Sequence, residues 1–147
     1  MDSRLSVEDR LDIIDLFNRY SYFVDDNDQE AWLDLFTPDG VFDVPGLMCK
    51  QGRDALRDVI RMVSEGSGGH WRHQLTNILA EPGDQPGTAR VRFYGLVTDW
   101  RGEGHLSTFN NYHGELRKDG MTWRIARLKA LPTRVTVDAN IPESQSN

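Results

Sequence analysis

Apolar residues recur at Leu11, Ile13, Ile14, Phe17, Tyr20 and Val24 with polar residues between them, the three-to-four spacing of a helix that buries one stripe. Ser6, with Asp9 three residues on, reads as the helix N-cap, so the pattern predicts a first helix over roughly Ser6 to Val24. The acidic break Asp25-Asp26-Asn27-Asp28 ends it, and Asp28 suits the N-cap of a shorter helix in DQEAWLDLF, with Ala31, Trp32, Leu35 and Phe36 toward the core. Thr37-Pro38-Asp39-Gly40 is expected to close that helix as a turn. Val41 to Val44 then reads as a short strand stopped by Pro45, and GRDALRDVIRMVSEG as a third helix with Leu56, Val59, Ile60 and Val63 as its buried stripe.

After the glycines near residue 68 the period changes to two. HWRHQLTNILAE, TARVRFYGLVTDW, HLSTFNNYHGELRK and MTWRIARLKAL alternate as strands, joined by turns at EPGDQPG, RGEG and KDG. Helices followed by long antiparallel strands argue for an α+β fold with the helices packed on one face of a curved sheet. One domain is expected over residues 1–131, with residues 132–147, which carry two prolines and a polar end, as a tail.

Strict alternation along the first long strand places His73, Leu75, Asn77 and Leu79 on one face, the more apolar one and hence the inward one. On the next strand Ala89, Val91, Phe93, Gly95, Val97 and Asp99 share a face, so an acid closes an apolar row at the mouth of any pocket. Asn110, Tyr112 and Gly114 alternate with Asn111, His113 and Glu115, and pattern leaves open which set faces in. His105 and His113 are expected to be exposed. Tyr20 lies on the buried stripe of the first helix, and Tyr22, three residues before Asp25, is its rival for the same role.

Composition narrows the partners. A chain of 147 residues with 38% hydrophobic and 27% charged residues suits one soluble core, and a mean hydropathy of -0.57 leaves no membrane span. A formal charge of -6 disfavours a nucleic-acid partner, whose phosphates are bound through Lys and Arg. Cys49 is the single cysteine, so no intrachain disulfide can form, and MDSRLSVEDR has no apolar leader core; a cytoplasmic address is expected. No glycine-rich phosphate loop, HExxH or clustered Cys/His spacing occurs, so neither a metal nor another cofactor is implied.

Taken in order, the first helix with Tyr20 and Asp25, the segment Trp32-Leu33-Asp34-Leu35-Phe36-Thr37-Pro38-Asp39-Gly40, the strand His73 to Asn77 and the late strand Gly120 to Ile125 resemble the SnoaL-like branch of the nuclear transport factor 2-like superfamily, over roughly Val7 to Leu131. The resemblance implies a cone-shaped α+β barrel, its sheet wrapped around a pocket closed by helices. The spacing is similar to that of its lyases: hexachlorocyclohexane dehydrochlorinase, bile acid 7α-dehydratase and, more distantly, scytalone dehydratase. Asp25 and His73 stand where the first two carry an acid–histidine dyad, and Tyr20 stands where the bile acid enzyme carries a tyrosine. The lyase pattern sets an arginine five residues after the late-strand tryptophan, and here that position is Leu128, with Arg127 beside it. A one-residue offset sends a strand side chain to the opposite face unless a bulge re-aims it.

Histidine, with an unperturbed pKa of about 6.5, can take and return a proton near neutrality, while a carboxylate fixes its tautomer and stabilises the imidazolium. The resemblance therefore implies a cofactor-independent dehydratase or dehydrohalogenase acting on a small apolar, cyclic substrate. His73, Asp25 and Tyr20 would be catalytic, and Asn77, Asp99, Phe93, Tyr112, Arg127 and Tyr22 would line the substrate site. The same fold also serves as the small β subunit of aromatic-ring dioxygenases, as a ligand-binding domain, and for isomerases, cyclases and epoxide hydrolases. Homo-oligomers, trimers or dimers, are expected from the resemblance.

Overall fold

The structure, a computed structural model, describes residues 5–133. The expected tail lies outside the described residues from position 134 onward. Helix α1 (Val7–Asp25) starts in a full capping box: the Ser6 hydroxyl accepts from the Asp9 backbone, and the Asp9 carboxylate accepts from the Ser6 backbone. Its stripe of Ile13, Leu16, Phe17, Tyr20 and Val24 is buried. Helix α2 (Gln29–Leu33) is capped by Asp28, whose carboxylate accepts from the Ala31 N–H. Strand β1 (Phe36–Val44) and strand β2 (Met48–Gln51) precede helix α3 (Arg53–Ser67), and β3 (Trp71–Pro82), β4 (Thr88–Asp99), β5 (His105–Asp119) and β6 (Thr122–Pro132) complete the chain.

The six strands form one sheet in the order β2-β1-β6-β5-β4-β3. All neighbours are antiparallel except β1 and β6, which run parallel. The helices cover one face, and the core between them and the sheet holds Phe17, Tyr20, Trp32, Phe36, Phe93, Tyr112, Trp123, Ile125 and Leu128. Burying each such side chain contributes about 1.5–3 kcal/mol, so the amphipathic stripes seen in the sequence supply the main drive for this layering. Polar anchors fix its orientation. Asp9 also accepts from Lys118 Nζ at 2.8 Å and Trp123 Nε1 at 2.9 Å, tying the start of α1 to the β5–β6 hairpin. Arg53 donates to Glu30 at 2.6 Å and to Asp34 at 2.8 Å, tying α3 to α2.

Several local expectations change. The Thr37–Gly40 segment does not terminate a helix: α2 stops at Leu33, and the segment is an irregularity inside β1, whose pairing with β6 jumps from Phe36 to Val41. Gly40 permits the curl, because a Cβ there would lie 2.9 Å from Phe36 Cβ and 3.0 Å from the Thr37 carbonyl oxygen. Strand β2 pairs with the end of β1.

Two bulges redirect side chains. In β3 the pairing jumps from Thr76–Tyr94 to Leu79–Arg92, and Asn77 takes the left-handed φ of 59° that this residue tolerates better than most. Up to that point Trp71, His73 and Leu75 face inward; beyond it Ile78 and Ala80 do. In β6, Leu116–Ile125 is followed by Glu115–Arg127, which leaves Ala126 as the extra residue and sets Leu128 and Ala130 in the core.

Candidate active site

Strand β3 is the last strand of the sheet, so an outward-pointing backbone N–H at its edge lacks a strand partner. At His73 that donor is met by the Asp25 carboxylate at the C-terminal end of α1, with the backbone nitrogen 3.0 Å from Oδ2 and 3.2 Å from Oδ1. His73 Nδ1 lies 2.6 Å from Asp25 Oδ1. One carboxylate thus fixes both the main chain and the ring. With Nδ1–H donating to Asp25, the tautomer assigned by this contact leaves the Nε2 lone pair free to accept a proton. The pair is shielded, the His73 and Asp25 side chains being 8% and 10% exposed.

The inward faces of the neighbouring elements supply the surroundings. Tyr20, Phe93 and Tyr112 are all buried, with Tyr112 stacked on Phe93 at 4.8 Å between centroids and Phe17 closing on Phe93 at 4.4 Å. The open choice on β5 resolves to Asn110, Tyr112 and Gly114 inward, with Asn111, His113 and Glu115 outward. Gly95 lets the Tyr112 ring lie across β4: a Cβ there would run into Tyr112 Cε2 and stand 3.1 Å from Cδ2, with Leu75 Cδ2 at 3.2 Å. Burial raises the Tyr20 phenol well above its ordinary range, nearby Tyr112 adding to the effect, and burial pushes Tyr112 up to about 12. Both hydroxyls therefore keep their protons at neutral pH and can donate.

Asp99 faces inward two rungs from the His73–Val97 pair, as its row on β4 requires, and is buried. It accepts from Trp71 Nε1 at 3.1 Å and from Arg101 through the backbone N–H, Nε and Nη2, the last at 2.5 Å. The Arg101 hydrogen bonds hold its carboxyl below the usual range. It is an ionised, neutralised acid whose acceptors are already engaged.

Three expected site residues stand elsewhere. Asn77 is exposed because the β3 bulge turns it outward, where with Leu79, Arg92, Tyr94, Asn111 and His113 it borders a shallow outer depression. Arg127 pairs with Asp43 at 2.7 Å on the outer face: alternation from Trp123 and Ile125 would turn it inward, and the bulge at Ala126 turns it out and seats Leu128 in the core. Tyr22 is 70% exposed, because Tyr20 and Val24 take the buried stripe of α1. A depression of about 470 Å³ lies by Asp39, Gln51, Arg90, Arg117 and Arg127, and His73 and Asp25 line neither it nor four others of about 270 to 340 Å³.

Periodicity alone did not single out Trp71 and Arg101, which engage Asp99, or Gly95, which seats Tyr112. A small residue in the middle of an apolar strand row was the available signal for Gly95. For Arg101 there was none, since it sits in a turn that reads as solvent-exposed.

The sequence family described as the SnoaL-like domain matches residues 5–129. No curated protein matches the chain in sequence. Among solved structures, a Nostoc punctiforme protein of unknown function with a cystatin-like fold superposes with a TM-score of 0.80 at 20% identity, covering 89% of this chain and 96% of that one. A Novosphingobium aromaticivorans protein provisionally assigned as an aromatic ring hydroxylase superposes with a TM-score of 0.72 at 29% identity, covering 88% and 92%. Another from the same organism, provisionally assigned as a scytalone dehydratase, gives 0.72 at 21% identity, covering 85% and 84%. The first and third establish likeness of fold alone.

Proposed function

The chain belongs to the SnoaL-like domain family, and on that footing we propose that it is a cofactor-independent lyase of the dehydratase or dehydrohalogenase type, acting on a small apolar cyclic compound. The observation that carries the reading is the 2.6 Å contact between His73 Nδ1 and Asp25 Oδ1 in a shielded setting. His73 Nε2 takes a proton from a carbon next to an activating group, and Asp25, as the positioning residue, holds the ring and offsets the positive charge that develops on it. The C–H electron pair becomes the new carbon–carbon double bond as the neighbouring C–O or C–halogen bond breaks. For a hydroxyl leaving group, the imidazolium returns the proton to the departing oxygen, giving water and restoring neutral His73. In this reading the hydroxyl of Tyr20, buried on the α1 stripe, donates to the activating group or to the leaving group.

Turnover of cyclic alcohols and halides that carry an adjacent electron-withdrawing group tests this, comparing wild type with His73→Ala. The reading expects a loss of about 10²-fold or more, the usual contribution of a general base; equal rates in the two proteins reject it.

A second reading, a non-catalytic small subunit of an aromatic-ring dioxygenase, draws support from the 29% identity to the Novosphingobium protein. It expects co-purification with an iron–sulfur α subunit and no turnover by the isolated chain.

A further inference from the structure

The outward faces of β3, β4 and β5 meet in a depression of about 290 Å³ bordered by Asn77, Leu79, Arg92, Tyr94, Asn111 and His113. Register explains the grouping. Leu79 stands beside Arg92, Arg92 opposite His113 and His113 opposite Lys129, while Tyr94, on the same face of β4, stands opposite Asn111. The β3 bulge adds Asn77, which unbroken alternation would have turned inward, at its left-handed φ of 59°. A backbone held in a sparsely populated region to present one amide on this face marks a place where the position of a side chain outweighs strand regularity.

The charges here are arranged unlike those elsewhere in the molecule. Among the described residues every other arginine donates to a carbonyl or carboxylate oxygen of the protein, and Arg92 alone has no such acceptor. Its rung supplies none, since His113 lies opposite and Lys129 beyond it, in a chain whose net charge is -6. Like charges gathered on one face of a sheet destabilise it. The nearest acid by register is Glu115, two residues along β5 on the same face, and it is set between Arg90 and Arg127.

We propose that this depression binds a small aromatic monocarboxylate, at a site separate from the Asp25–His73 pair. The Arg92 guanidinium donates two parallel N–H bonds to the carboxylate, which its planar fork matches, and the Asn77 amide and the His113 ring donate to the remaining lone pairs. The ring of the ligand lies against Tyr94 and Leu79, which are 44% and 41% exposed. Phe109, its centroid 5.4 Å from that of Tyr94, extends the aromatic wall. Charge selects a monoanion, because Arg92 and Lys129 bring two cations and Glu115 offsets one of them. A phosphate would leave the aromatic wall unused. The volume lies at the lower end of small-molecule sites, as a mono- or bicyclic acid requires.

Titration of the full chain with sodium 2-naphthoate, followed by proton–nitrogen NMR at the backbone amides of residues 92–94, tests this. The neutral isostere 2-naphthamide and ring-free inorganic phosphate are the comparison ligands. Saturable binding of the naphthoate is expected, weakened about tenfold or more in Arg92→Gln, which loses the charged fork. Asn77→Gly, which keeps the backbone conformation and removes the amide, is expected to weaken it about threefold. The amide and phosphate are each expected to bind at least about tenfold more weakly than the naphthoate. His73→Ala is expected to bind like wild type, so the result stands apart from whether the chain is a lyase. The proposal is overturned by unmoved amides up to the solubility limit, by equal affinity of wild type and Arg92→Gln, or by naphthamide or phosphate binding as tightly as naphthoate. Loss of binding in His73→Ala overturns it as well.

Discussion

Replacing Asp25 separates what the carboxylate does for the fold from what it does for chemistry. Its oxygens accept from the His73 backbone at 3.0 and 3.2 Å and face Nδ1 at 2.6 Å. Asp25→Ala strands two donors at the shielded edge of β3, each costing about 1–3 kcal/mol when unsatisfied. Taking about 1.5 kcal/mol apiece, because the edge admits some water, gives about 3 kcal/mol. Asp25→Asn retains an acceptor oxygen for one of the two donors and loses the charge-assisted bond, for about 1.5 kcal/mol. An unfolding entropy of roughly 2.1 cal/mol/K per residue converts these to Tm losses of about 10 °C and about 5 °C for a chain of this size. Differential scanning calorimetry at pH 7 measures both. Activity should fall much further than stability in the Asn variant, by about 10³–10⁴-fold, because an amide can hold the ring in the wrong tautomer. An Asp25→Ala protein melting within about 2 °C of wild type would refute the claim that this carboxylate clamps α1 to the edge strand.

The other expectations concern packing, the capping box and the β3 bulge. Gly95→Ala drives a methyl group into the Tyr112 ring and should destabilise by about 1–3 kcal/mol in urea unfolding, with activity lowered in the fraction that remains folded. Asp9, held below the usual carboxylate range chiefly by Lys118, contributes stability that is fully present above the unfolded-state pKa of about 3.9 and is lost as pH falls through its lowered folded value. The stability gap between wild type and Asp9→Asn should accordingly narrow as pH drops below about 4, and a gap that widens there would contradict the assignment. Asn77→Val forces a β-branched residue into a φ of 59° and should cost about 1–3 kcal/mol, whereas Asn77→Gly should be neutral or stabilising. Urea melts of the pair give the comparison.

The parts of this molecule that were legible in sequence are those set by local periodicity. The α1 stripe from Ile13 to Val24, the Ser6–Asp9 capping box and the alternating row of β4 each follow from residue spacing alone. The contact between Asp25 and His73 was legible for the same reason: the register of α1 delivers Asp25 at its last turn, and alternation through Trp71, His73 and Leu75 holds up to the bulge. What spacing could not show is where a strand skips a residue against its neighbour. The bulges at Asn77 and Ala126 and the curl at Thr37–Gly40 depend on cross-strand pairing, and each of the two bulges inverts the face for the residues beyond it. Asn77 was displaced from the inner face by that inversion. Arg127, which unbroken alternation from Trp123 and Ile125 would turn inward, is turned out because the extra residue falls at Ala126 and gives the inner position to Leu128. An asparagine in an otherwise apolar strand was the visible hint for the first bulge; Ala126 offered none.

Hydrogen–deuterium exchange at a carbon acid tests the central claim, that His73 held by Asp25 moves a proton, without requiring the natural leaving group. Cyclohexanone in D2O is followed by proton NMR with wild type and with His73→Gln. The account expects wild type to accelerate loss of the α-hydrogen signals above buffer, and His73→Gln, folded and of comparable Tm, to reduce that acceleration by about 10²-fold or more. Exchange no faster than buffer with wild type, or undiminished in His73→Gln, would contradict it.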